Sequence, residues 1–136
     1  MRMKGKDKQK GTLSLGAKRT DRHEPHERQP TEAGHKEWGG KMIDDIAVAT
    51  RWALSRQDID EERVCAYGAS YGAYASYMLA VREPQMLRCV VGYVGVYDLN
   101  IMYSTGGIPD SWGGTSFLER VIGRDEKMLD EFSPVT

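Results

Sequence analysis

No stretch of about 18 consecutive apolar residues occurs in the 136-residue sequence, which excludes a membrane-spanning helix. No apolar segment follows the basic start, which excludes a secretory signal peptide. Four acidic residues and two prolines in the first thirty also break the pattern of a transit peptide. A cytoplasmic location is therefore the default expectation. Histidine is scarce: His23, His26 and His35 are the only three. Pro25 forbids a helical face between the first two, and no further Cys or His completes a ligand set, so no metal is expected. Neither Gly-Lys-Ser/Thr nor Gly-x-Gly-x-x-Gly is present, and no cofactor is expected. The two cysteines, Cys65 and Cys89, fall inside apolar strand-like runs, where small buried thiols are expected rather than a disulfide or metal ligands.

Apolar residues are also missing from the start of the chain. Residues 1–30 hold only Met1, Met3, Leu13, Leu15 and Ala17 from the apolar set, with nine Lys/Arg against four Asp/Glu. That stretch cannot build a core and reads as a basic, disordered segment. No aromatic residue is interleaved with its charges to stack on bases, so a solvated tail is expected and no nucleic-acid partner. Residues 31–136 carry ten Lys/Arg against sixteen Asp/Glu. They are numerous enough for a modest core, but short of the roughly 200 to 250 residues that large α/β domains use.

Periodicity begins after Thr31. Ile43, Ile46, Ala47, Thr50 and Leu54 share one face of a helix predicted from about Met42 to Ser55. Asp44 and Asp45 lie at its positive end and Arg51 and Arg56 toward its negative end. Arg63-Val64-Cys65-Ala66-Tyr67 reads as a buried strand ending at Gly68. Ala73 to Val81 is helix-compatible and apolar nearly all round, which predicts burial against a sheet and an end before Pro84. A second strand is expected at about Cys89 to Val94. Apolar strands without alternation, covered by helices on both faces, predict a parallel sheet and an α/β class. Residues 95–116 read as loop, Ser116 to Ile122 as a short helix and Glu126 to Phe132 as a further turn.

One motif carries chemistry. Gly68-Ala69-Ser70-Tyr71-Gly72 is a Gly-x-Ser-x-Gly between a predicted strand and a predicted helix, the setting of a nucleophile elbow. Gly68 and Gly72 are expected to be needed because side chains there would collide with neighbouring backbone. Ser70 is expected in a strained conformation that projects its hydroxyl at the positive end of the helix. The N–H of Tyr71 would point at a developing oxyanion. Read alone, the motif also fits an ordinary glycine-rich turn between strand and helix.

Longer runs narrow the choice. Glu32-Ala33-Gly34-His35-Lys36-Glu37-Trp38-Gly39, Asp44-Asp45-Ile46, Arg63 through Ala75, Tyr93 through Leu99 and Ser133-Pro134-Val135 resemble the catalytic domain of the prolyl oligopeptidase family of serine peptidases. The bacterial dipeptidyl aminopeptidase or acylaminoacyl-peptidase group is the most similar. The resemblance covers about residues 31–136. It implies an α/β-hydrolase fold and cleavage of short peptides by acyl transfer to Ser70, with Tyr71 as backbone oxyanion donor.

In that family the triad acid and histidine follow the Ser-Pro-Val segment, where this sequence stops. The expectation is therefore a partial α/β-hydrolase fold, its parallel sheet flanked by helices and truncated before its last strands, weak or inactive as an isolated chain. The family's Arg-Gly-Ser-x-Gly-Tyr-Gly stretch, and the tyrosine loop that supplies the second oxyanion donor, have no counterpart in residues 1–30. The abrupt departure near Thr31 is what a frameshift, a mis-assigned start or a broken gene would produce. His35 matches a family position outside the triad and is expected to be structural, and Asp98 to cap a loop. Tyr103 and Trp112 fall in a segment that lines a pocket or merely packs. The alternative is a non-catalytic module that associates with a partner chain through an unpaired sheet edge.

Overall fold

A computed structural model of the chain describes residues 33–136. The basic segment 1–30, with His23 and His26, lies outside the described residues. The predicted first helix is present as α1, Lys41–Leu54, and its buried Ile43, Ala47, Thr50 and Ala53 recur at helical spacing. The hydroxyl of buried Thr50 donates to Ile46 O at 2.7 Å. Gly40 offers no side chain to cap this helix, so Glu37 supplies one from the preceding turn: its Oε2 accepts the Lys41 N–H at 3.1 Å. Its Oε1 lies 3.2 Å from Lys41 Nζ. The Lys41 N–H and ammonium hold the Glu37 carboxyl below its ordinary pKa.

After a 3₁₀ turn at Glu61–Arg63, capped by the Asp60 carboxylate, comes β1, Cys65–Ala69. Helix α2, Tyr71–Arg82, starts at once and leads back to β2, Cys89–Tyr93. The strands pair in parallel, Cys65 opposite Cys89 through Ala69 opposite Tyr93. A parallel pair needs such a crossover, and α2 packs across both strands. Gly68 and Gly92 make that close approach possible. A Cβ on Gly68 would overlap the Gly72 carbonyl and stand 2.8 Å from Ala73 N; one on Gly92 would overlap the Tyr97 hydroxyl and meet the Tyr77 ring at 2.9 Å.

Two expectations are overturned here. Among the described residues the sheet is covered on one face only: burial alternates along both strands, leaving Cys65, Tyr67, Ala69, Cys89, Val91 and Tyr93 exposed. The apolar runs misled because Tyr67 and Val91 are apolar on the open face and Ala66 and Val90 on the closed one. The cysteines, in turn, are not buried thiols. They form the first register pair on the open face, their Cα atoms 4.6 Å apart, and are joined as a disulfide. Parallel pairing brought together two residues 24 positions apart, which linear inspection does not reveal.

Helix α2 is the centre of the core, with Ala73, Tyr74, Ala75, Ser76, Met78 and Leu79 all buried. Its outer side meets Ile43 and Ala47 of α1, Leu99 and Met102 of the following loop, and Leu118, Ile122 and Leu129. The last three come from the C-terminal region, where α3 spans Gly114–Val121 and α4 spans Glu126–Glu131. The Asp125 carboxylate caps α4 by accepting the Met128 N–H at 2.9 Å. Beyond α4, the buried Ser133 hydroxyl accepts the Leu99 N–H at 2.8 Å and donates to Leu129 O at 2.6 Å. Tyr74 anchors the same region by donating to Phe132 O at 2.8 Å. Among the described residues no helix is long and apolar enough to cross a membrane.

Candidate active site

Ser70 occupies the single residue between β1 and α2, with φ +52° and ψ −123°. That conformation is costly for any residue bearing a Cβ. Its causes lie on both sides. The Ser70 N–H continues the strand ladder by donating to Tyr93 O at 3.1 Å, while its carbonyl accepts the Ala73 and Tyr74 N–H groups at 3.0 and 3.2 Å to open the helix. One residue thus closes a strand and starts a helix, and only a sharp backbone reversal does both. The hydroxyl makes no capping hydrogen bond, and the residue is exposed. The N–H groups of Tyr71 and Gly72 stay outside the helix ladder at its positive end.

The two motif glycines are not equivalent. Gly68 is required by the approach of the first turn of α2 described above, as expected. At Gly72 a Cβ would meet nothing within 4 Å among the described residues, so the expected collision is absent there. Of the two motif glycines, the steric demand falls on the strand glycine alone.

The Tyr71 side chain is anchored independently of its backbone. Its hydroxyl donates to Trp38 O at 3.1 Å, and its ring meets the Trp38 ring edge-on at 4.9 Å between centroids. Burial raises the Tyr71 phenol to about 12. Arg82, at the far end of α2, donates to the Gly39 and Gly40 carbonyls at 2.9 and 3.1 Å and to the Asp44 carboxylate. The loop 38–40 is therefore held to α2 through side chains from both ends of the helix. This anchoring was not legible in the sequence; the aromatic and arginine residues carried no spacing signal that paired them with that loop.

The other candidates fall elsewhere. His35 sits in the turn before α1 and no hydrogen bond joins its imidazole to Ser70. Asp98 Oδ1 accepts the Asn100 and Ile101 N–H groups at 2.8 and 3.3 Å, the loop-capping role expected of it. Tyr103 packs, its hydroxyl bonded to Gly123 O and its ring under the Arg124 guanidinium, whereas Trp112 is fully exposed. The site is thus a serine in a strained strand-to-helix reversal beside free helix N–H groups, with no histidine after it in the sequence.

Residues 26–136 match the prolyl oligopeptidase family, a match that starts inside the segment read as lying apart from the fold. Dipeptidyl aminopeptidase BIII of Pseudoxanthomonas mexicana is 36% identical over 114 residues, 78% of this chain and 16% of that protein. Dipeptidyl peptidase family member 6 of Caenorhabditis elegans is 34% identical over 96 residues, 70% of this chain and 13% of that protein. Acetylxylan esterase A of Emericella nidulans is 29% identical over 77 residues, 57% of this chain and 25% of that protein. The chain therefore spans about a sixth or less of the two dipeptidyl peptidases. Its parallel sheet and packed helices are a partial α/β-hydrolase fold, and the chain belongs to the prolyl oligopeptidase family.

Proposed function

We propose that the chain carries the nucleophile portion of a serine peptidase acting on short peptides. The observation that supports it is the positive-φ Ser70 between β1 and α2, with an exposed hydroxyl that the fold does not use. Ser70 Oγ attacks the acyl carbon, and its proton passes to a base. The carbonyl oxygen becomes an oxyanion, which the Tyr71 N–H stabilises at the helix N-terminus. The amine leaves with the proton that the base took from Ser70, and water then hydrolyses the acyl-serine, returning a proton to Ser70 Oγ. The relatives named above include peptidases and an esterase; acyl transfer to serine is the chemistry common to peptide and ester cleavage.

In hydrolases of this order the acid and histidine follow the serine, and no histidine follows Ser70 here. Without a base the hydroxyl stays protonated at neutral pH. Loss of a triad member leaves at most roughly 10³ to 10⁴-fold catalysis over water, and that only with an intact oxyanion hole and binding pocket. The isolated chain is accordingly weak or inactive. Treatment with a fluorophosphonate probe and assay on dipeptidyl chromogenic substrates test both halves of the proposal. Slow labelling of wild type at high probe concentration that is lost in Ser70→Ala supports the nucleophile; labelling that persists in that variant, or none in wild type, removes it. Rapid turnover by wild type that Ser70→Ala abolishes overturns only the weak-activity half.

A second reading is favoured by the open sheet face. Tyr67, Val91, Tyr93 and Val94 are each at least half exposed, and the two strands have free edges among the described residues. A hydrolase-like module that pairs with a partner chain would cover them. Size-exclusion chromatography separates the readings, since a clean monomer over a wide concentration range speaks against association.

A further inference from the structure

The Cys65–Cys89 bond joins the first register pair of a two-stranded sheet. The loop it closes spans residues 65–89: all of β1, Ser70, all of α2 and the first residue of β2. The whole strand–turn–helix unit is thus enclosed by one covalent link. At the other end of the same ladder the Ser70 N–H is bonded to Tyr93 O. A two-stranded sheet is marginal alone, and a parallel pair is the weaker kind per residue. The link therefore acts where non-covalent pairing is least able to hold the strands. Both cysteines belong to the exposed face of the sheet, opposite the side that α2 covers. A disulfide in that position is open to an incoming thiolate, unlike one enclosed in a core.

We infer that Cys65–Cys89 is a thiol–disulfide exchange site, and that its opening by a small thiol or dithiol loosens the β1–α2–β2 unit. In the exchange, a thiolate of the reductant bonds to one Sγ as the Sγ–Sγ bond breaks, and the electron pair leaves on the other Sγ. The second thiol of the reductant then attacks the mixed disulfide. Two electrons pass to the protein, two cysteine thiols form after protonation, and the reductant becomes a disulfide. Each strand is then tied to the other only by backbone hydrogen bonds and by α2.

The test uses the full 136-residue chain and reads stability and thiol content, so it is independent of peptidase activity. Air-purified protein should show no alkylatable cysteine in denaturant, and both cysteines should take iodoacetamide after brief exposure of the native chain to dithiothreitol. Reduction should lower the melting temperature by about 10 °C or more, up to complete loss of the transition, and reoxidation should restore it. The double variant Cys65→Ser, Cys89→Ser should melt like the reduced protein and ignore dithiothreitol. Free thiols in the air-purified chain, resistance to dithiothreitol until the protein unfolds, or an unchanged melting temperature would each overturn the inference. Should the double variant not fold, the reduction and reoxidation of wild type decide alone.

Discussion

Replacing Ser70 with glycine should make the protein more stable. Ser70 sits at φ +52° and ψ −123°, a region glycine enters freely and a residue with a Cβ does not. Holding a non-glycine residue there costs on the order of 1 to 3 kcal/mol. Against that gain stands the larger backbone entropy of glycine in the unfolded chain, about 0.5 to 1 kcal/mol. No other loss enters, because the hydroxyl makes no capping bond and the side chain is exposed. The net expectation for Ser70→Gly is a gain of about 1 kcal/mol, near 4 to 8 °C in melting temperature for a domain of this size. Ser70→Ala keeps the Cβ and the strain, and should stay within roughly 0.5 kcal/mol of wild type. Urea unfolding of the three proteins under matched oxidising conditions measures the difference. If Ser70→Gly is no more stable than Ser70→Ala, the backbone at this position is not strained and the stored-strain account is wrong.

Gly68→Ala should destabilise by about 2 kcal/mol or more, since its Cβ meets backbone that cannot move aside, while Gly72→Ala should be neutral or stabilising by up to about 1 kcal/mol; equal urea midpoints for the pair would contradict this. Ser133→Ala leaves the Leu99 N–H without its partner and should cost about 1 to 3 kcal/mol, again read from the urea midpoint. Stability should fall as pH rises from 10 toward 12. The half-buried Tyr71 phenol, raised from 10.0 to about 12, keeps its proton in the native state after the unfolded chain has released it. A pH series of unfolding midpoints should fall less steeply in Tyr71→Phe than in wild type.

The helices were legible because their signals are local. The spacing of Ile43, Ala47 and Thr50 identified α1 to within one residue at each end, and the apolar character of Ala73 to Val81 foretold a largely buried α2, although Tyr77 and Val81 are exposed. The strand-to-helix turn at Ser70 was legible for the same reason, since its serine and flanking elements are contiguous. What depended on pairing was not. The disulfide needed the strand register, and the open face needed knowledge of which apolar residues α2 would cover. The unequal roles of Gly68 and Gly72 needed the direction from which the helix approaches. Hydrogen bonds such as Tyr71 to Trp38 and Leu99 to Ser133 span more than thirty residues, and no short pattern marks their partners.

The crowding at Gly68 also decides how the two strands align. A one-residue slip in strand pairing turns every side chain to the opposite face. Hydrophobicity alone would scarcely resist such a slip here, because Tyr67 and Val91 on one face are as apolar as Ala66 and Val90 on the other. Steric exclusion does resist it: the slip would aim Tyr67 or Ala69 at the Gly72 carbonyl, where even a methyl group has no room. The sheet thus takes its alignment from the backbone of the helix laid across it, with glycine as the only residue that fits the index position.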